Sequence, residues 1–197
     1  MLQLRQTDIR QGPSDVYEVA FAAGAGHGDP IERDPEAVRA DVENGDISAS
    51  AARDVFRVAL VGGEDDLRVD GPATADLRRR AIAQRLGREP RAPGHRHSLV
   101  AHVSETLDLV TAGGEKSLSC ARCGRVLCAA RENYKLHALR IDRPIQAANP
   151  LIGDPGRFID AAVQFRQFYC PDCGGLLENE VCRAEDAVLM DIELAVD

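Results

Sequence analysis

Alternation of apolar and polar positions is clearest at the end of the chain. Val188, Met190, Ile192, Leu194 and Val196 fall on one face, and Leu189, Asp191, Glu193, Ala195 and Asp197 on the other. This period of two predicts a terminal strand. Looser extended patterns cover 99–110, 117–119, 163–169 and 176–181, the first as a strand or hairpin arm. The first ~95 residues instead carry helix signals. Asp34-Pro35-Glu36 combines an N-cap, a proline suited to the first helical position and an acid in the first turn. That helix is expected to reach Asn44, with Gly45 closing it. Ser48 or Ser50 caps a short helix over 51–55, residues 56–61 and 67–69 read as extended, and Thr74 caps a helix to Leu86 that Gly87 stops. Residues 24–30, rich in glycine, read as a loop. No Gly-Lys-Ser/Thr follows them, so they are not a phosphate loop.

These patterns predict an α+β chain in two parts. Residues 1–90 form a helical arm, 91–98 a Pro/Gly-rich linker, and 99–197 an antiparallel β module. Short helices joined by long connections bury little core of their own, so residues 14–86 are expected to dock on another protein, with Val38, Val55, Phe56 and Leu60 against it. The chain is 44 % hydrophobic but 4 % aromatic and has no Trp, so its core must be built from aliphatic side chains.

The chemistry concentrates in two knuckles, Cys120-Ala121-Arg122-Cys123-Gly124 and Cys170-Pro171-Asp172-Cys173-Gly174. In each, two residues separate the cysteines and a glycine follows the second, so backbone amides can fold toward the sulfurs while both thiolates face one ion. Four soft ligands suit one tetrahedral zinc, and a full thiolate set leaves no position for water or substrate. The expected ligands are therefore Cys120, Cys123, Cys170 and Cys173, with zinc in a structural role, one per chain. The same thiolates would also hold an iron–sulfur cluster. Disulfides within each pair would need an oxidising compartment, and residues 1–10 have no apolar core of a signal peptide, so a cytoplasmic setting is expected. A redox pair would need one such motif beside a βαβ pattern, which neither has. Cys128 and Cys182 lack partners at this spacing and read as small buried hydrophobes. His27, His95, His97, His102 and His137 show no recognisable catalytic spacing and read as ordinary polar positions. No catalytic residue is assigned.

Charge bears on partners. The net charge is -8; residues 1–97 hold 14 basic and 17 acidic side chains, and 98–197 hold 10 and 15. Neither half is a basic module, which argues against a nucleic-acid-binding ribbon or a similar free-standing adaptor. The run Arg78-Arg79-Arg80 reads as a solvated or partner-facing helix surface. No apolar run approaches the ~20 residues that span a bilayer.

Two resemblances point one way. From about residue 99 onward the chain resembles the small zinc-binding gamma subunit of acetone carboxylase and its acetophenone carboxylase relatives. The matching stretches are Cys120-x-x-Cys123-Gly124, Asn133-Tyr134-Lys135, Phe165-Arg166-Gln167-Phe168-Tyr169-Cys170-Pro171-Asp172-Cys173-Gly174 and Asp191-Ile192-Glu193-Leu194. From about residue 24 to 86 it resembles the C-terminal tail of hydantoinase B/oxoprolinase-type large subunits, through Gly28-Asp29-Pro30-Ile31-Glu32-Arg33-Asp34-Pro35, Asp41-Val42-Glu43-Asn44-Gly45-Asp46-Ile47-Ser48 and Ala51-Ala52-Arg53-Asp54-Val55-Phe56. The large body that precedes such a tail is not in this sequence, which suggests a tail fused to a gamma-like module. The resemblances imply an accessory subunit of a cytoplasmic ATP-dependent ketone carboxylase. Its partners would be hydantoinase A-like and hydantoinase B-like large subunits in a hetero-oligomer, which carry the catalysis. The alternatives are an accessory subunit of an ATP-dependent hydantoinase or oxoprolinase, and a free-standing zinc-ribbon adaptor, which the acidic balance disfavours.

Overall fold

The computed structural model describes residues 10, 12–16, 28–63, 66–94, 96–148 and 152–196. Residues 24–27 of the expected loop, with His27 and His95, lie outside them. The arm begins with a 3-10 turn, Pro30–Glu32, and continues through α1 (Pro35–Glu43), α2 (Ala49–Asp54), the short antiparallel pair β1 (Leu60–Val61) and β2 (Arg68–Val69), and α3 (Gly71–Leu86). The β module holds a meander, β3 (Ser98–His102), β4 (Leu107–Ala112), β5 (Glu115–Cys120) and β6 (Val126–Ala129), and a second antiparallel sheet, β7 (Leu139–Pro144), β8 (Val163–Tyr169) and β9 (Leu176–Arg183). Among the described residues no helix is long and apolar enough to cross a membrane.

Local chemistry explains most boundaries. Asp34 accepts from the Glu36 amide at 3.1 Å and Pro35 occupies the first turn of α1. Ser48, rather than Ser50, caps α2 through the Ala51 amide at 3.1 Å. The start of α3 differs from expectation. Asp70 is its cap, accepting from the Ala73 amide at 3.0 Å, and Thr74 lies inside the helix. Pro72 is tolerated because the first-turn amides have no intrahelical partner. Thr74 is buried and accepts from the Ala59 amide at 3.0 Å, which ties α3 to the segment leading into β1. The extended stretch expected over 56–61 shrinks to Leu60–Val61, because Arg57 takes a left-handed φ of 55° as the chain leaves α2. Residues 99–110 form two strands, β3 and β4, joined at a turn where the Val103 and Ser104 amides both donate to the Leu107 carbonyl at 2.9 and 3.0 Å.

The terminal strand is corrected. Among the described residues, 186–196 pair in no ladder, although Ile192 and Leu194 do turn onto the core as the alternation requires. Side chains hold this segment instead. Asn133 Nδ2 donates to the Val188 and Leu189 carbonyls at 3.4 and 3.3 Å, and the Arg131 guanidinium donates to the Val196 carbonyl.

Among the described residues two apolar clusters result. The larger lies between the sheets and contains Leu107, Leu118, Leu127, Tyr134 and Leu177 together with Cys120, Cys123, Cys128 and Cys170. The smaller belongs to the arm, where Val38, Ala52 and Val58 are buried with Val42, Ile47, Phe56, Leu60 and Val69 around them. Val38, Phe56 and Leu60 thus pack within the chain, while Val55 stays exposed. The arm also lies on the β module through α3. A Cβ built on Gly174 would sit 2.9 Å from Ile82 Cγ2 and 3.2 Å from Leu86 Cγ.

That contact generates a prediction. Gly174 has φ 69° and a crowded Cβ direction, whereas Gly63 faces open space. Gly174→Ala is expected to cost about 2 kcal/mol through strain and lost helix contact, and Gly63→Ala less than about 0.5 kcal/mol, in urea unfolding of the two variants. Equal midpoints would remove the α3–knuckle contact from the account.

Candidate metal centre

The two knuckles are repeats of one hairpin tip. Cys120 ends β5 and Cys170 follows β8, and the strand that leaves each tip carries one extra residue, Leu127 on β6 opposite Leu118 and Ser119 and Leu177 on β9 opposite Phe168 and Tyr169. In the first, the Cys120 amide donates to the Arg125 carbonyl at 2.8 Å and the Gly124 amide to the Cys120 carbonyl at 2.9 Å. In the second, the Cys170 amide donates to the Gly175 carbonyl at 2.8 Å and the Gly174 amide to the Cys170 carbonyl at 2.9 Å. Gly124 and Gly174 have φ 75° and 69°, which an L side chain rarely adopts, so glycine is needed to close each turn.

The tips meet face to face. Cys120 Sγ lies 3.8 Å from Cys173 Sγ and Cys123 Sγ lies 3.6 Å from Cys170 Sγ, with all four sulfurs within 4.8 Å of one another. The four cysteines named from spacing therefore converge on one point, and the group could hold a metal ion. None is in a disulfide. Cys120, Cys123 and Cys170 are buried and Cys173 is partly so. Crowding perturbs the thiols in opposite directions. Hydrogen bonds from Cys120, then Cys170 and Cys173, pull Cys123 well below the ordinary thiol range, helped by the Arg125 amide. The same contacts, Cys123 first, push Cys120 far above it. Four sulfurs this close can all be thiolates only with a cation among them.

The segment expected to be a linker is bonded to both tips. The Arg91 amide donates to the Asp172 carbonyl at 2.9 Å and the Gly94 amide to the Cys123 carbonyl at 3.0 Å. The Asp172 carboxylate faces Arg91, Arg88 and Arg125 at 3.2, 3.5 and 3.6 Å. Above the second tip, Arg85 of α3 forms a two-point bridge to Asp29 at 2.5 and 2.9 Å, donates to the Gly174 carbonyl at 3.3 Å and lies 4.6 Å from the Tyr169 ring centroid. The Asp29 side chain is fully buried, so this bridge works in a low-dielectric setting. Arg122 reaches Glu32 of the arm from the first tip.

A buried ionic cluster that spacing did not reveal joins the 3-10 helix Tyr134–His137 to β8, β9 and the final segment. Lys135 Nζ is 2.7 Å from Glu180 and 2.9 Å from Asp191, and Arg166 is 3.3 Å from Glu180. The Lys135 and Arg166 side chains are 1 % and 0 % exposed. Tyr134 Oη donates to Asp191 at 3.3 Å. Burial works against the Lys135 charge, but bonds to Glu180 and Asp191 outweigh it and raise the amine above its ordinary range. An ammonium this enclosed and paired holds structure; it is not a poised nucleophile. The signal in the sequence was indirect: Asn133-Tyr134-Lys135 and Asp191 are among the residues that carry the resemblance, but their contact is tertiary. Cys128 is buried as expected, which pushes its thiol up to about 11, and Cys182 is only partly covered. Arg79 and Arg80 pair with Asp76 on the surface of α3, while Arg78 donates to the Arg33 carbonyl at 2.6 Å.

With this geometry in hand, comparison with known proteins is informative. The family model described as acetone carboxylase gamma subunit matches residues 95–197. The acetophenone carboxylase beta subunit of Aromatoleum aromaticum (strain DSM 19018 / LMG 30748 / EbN1) is 35 % identical over 81 residues, which cover 40 % of this chain and 63 % of that protein.

Lys135→Met is expected to destabilise the protein by about 2 kcal/mol, because it removes the ammonium shared by the largely buried Glu180 and the partly exposed Asp191. It should also raise amide exchange in 186–196, which Asp191 helps hold. The raised Lys135 amine adds a pH signature. Its contribution is complete below the ordinary lysine pKa and is lost as pH climbs through the raised value. The stability gap between wild type and variant should therefore close on the alkaline side, as read by urea titrations across pH.

Proposed function

The chain belongs to the acetone carboxylase gamma subunit family, and from that membership we propose that it is an accessory, non-catalytic subunit of an ATP-dependent ketone carboxylase. Cys120, Cys123, Cys170 and Cys173 are its ligands for one structural zinc. The observation that carries the metal reading is the convergence of the four sulfurs. Zinc with Zn–S bonds near ~2.3 Å needs ligand–ligand edges of about 3.8 Å, and the two sulfur pairs that bridge the tips lie 3.8 and 3.6 Å apart. Four thiolates complete the shell, so the ion would supply folding free energy and no Lewis-acid position. Each tip contributes two ligands, so the ion would lock the two sheets together.

The partners are hydantoinase A-like and hydantoinase B-like large subunits, and the setting is the cytoplasm. The arm, with its likeness to a hydantoinase B tail, supports a partner that lacks this tail and receives it from the present chain. Val55 offers an exposed apolar contact on that arm.

Three measurements bear on this reading. Elemental analysis should find about one zinc that survives dialysis against a weak chelator, and Ser at any of the four cysteines should abolish it and unfold the β module. Iron with sulfide in the folded protein would reject the zinc assignment. The isolated chain should show no ATP hydrolysis. Co-purified with its large subunits, it should belong to a complex that consumes ATP with a ketone and bicarbonate. Turnover with a cyclic amide instead would move the complex to the hydantoinase/oxoprolinase class, and ATP hydrolysis by the rigorously purified chain would overturn the non-catalytic role.

A further inference from the structure

A second group of ligating side chains lies one turn of chain beyond the first knuckle. Cys128 is on β6. The chain then reverses, with the Glu132 amide donating to the Ala129 carbonyl at 3.0 Å, and the 3-10 helix Tyr134–His137 brings His137 back beside it. Cys128 Sγ, a Glu132 carboxylate oxygen and a His137 ring nitrogen all lie within 4.8 Å of one another. His137 Nε2 and Glu132 Oε2 are 3.7 Å apart. That is too long for a hydrogen bond. It is close to the separation of two ligands sharing an ion at ~2.0–2.2 Å.

The three groups are held in place by their surroundings. The Ala129 amide fixes Glu132 Oε2 at 3.0 Å. The helix that carries His137 is capped by Asn133 and anchored by buried Lys135. Cys128 forms the closed wall, with 6 % exposure, while the Glu132 and His137 side chains are 55 % and 42 % exposed. The site is thus rigid on one side and open to water on the other.

We propose that Cys128, Glu132 and His137 form a second divalent-metal site, distinct from the four-cysteine centre and labile where that centre is closed. A sulfur, nitrogen and oxygen donor set selects a borderline ion such as zinc or cobalt over calcium or magnesium. Three protein ligands leave a fourth position for water, and the exposure of two ligands lets the ion exchange with solvent.

The test uses the full chain with its one tightly held zinc, stripped of loosely bound metal by a weak chelator and then titrated with cobalt. Wild type should take up a further equivalent that a weak chelator removes, raising bound metal from about one to about two per chain. Thiolate-to-cobalt absorption should accompany it, weaker than that of a four-thiolate site in proportion to its single sulfur. Cys128→Ser and His137→Gln should each return the count to about one, with the tightly held zinc and the circular dichroism unchanged. His137 is exposed, so its variant keeps the test valid even if Cys128→Ser perturbs the core. Wild type that binds no second equivalent, or a second equivalent retained in either folded variant, would overturn the proposal. Loss of the tight zinc would instead count against the four-cysteine reading, so the two outcomes are separable.

Discussion

The convergence of four sulfurs between two hairpin tips is the constraint on which the β module depends. The two sheets share no strand, and β6 does not pair with β7. Their register relative to one another is set by Cys120, Cys123, Cys170 and Cys173 and by the aliphatic side chains packed round them. A core with so few aromatic residues gains limited free energy from burial, so bonds from these cysteines to an ion would carry unusual weight. The repeated bulge just after each knuckle serves the same end, because the extra residue bends the strand that leaves the tip and Leu127 and Leu177 both pack in the core beside the cysteines.

Polar contacts, rather than a broad apolar interface, fasten the arm to this centre. Arg85 with buried Asp29, the arginines around Asp172, and the Arg91 and Gly94 amides all act at or next to the knuckles. Exposed ion pairs contribute little each, but the Asp29–Arg85 bridge is shielded from water, and breaking it would leave a carboxylate uncompensated. The arm's own core is small. Its order is therefore tied to the order of the centre it covers.

The Lys135 cluster plays a matching role at the other end. It replaces the missing backbone ladder of residues 186–196 with side-chain bonds, so the final segment keeps the face-in, face-out pattern of a strand without belonging to a sheet. Burying two cations is costly, and shared carboxylates offset that cost only in one arrangement, which favours a single register for the tail.

Much was legible in the chain because it rests on local physics. Cap residues placed α1 and α2, Gly87 ended α3, and alternation placed β8 and most of β9, since helix ends and strand faces are decided within a few residues. Knuckle spacing named the four converging cysteines, because a tight turn with a trailing glycine fixes where the sulfurs point. Only the tertiary structure decided the rest. Asp70 outcompeted Thr74 as the cap because Thr74 was claimed by a contact fifteen residues away. The terminal alternation gave a strand-like face but no partner, because pairing depends on which edge lies nearby. The Pro/Gly-rich stretch became a strap because two knuckle carbonyls, at Cys123 and Asp172, needed donors. Lys135 met Glu180 and Asp191 across 45 and 56 residues, and no local pattern encodes a distance of that kind.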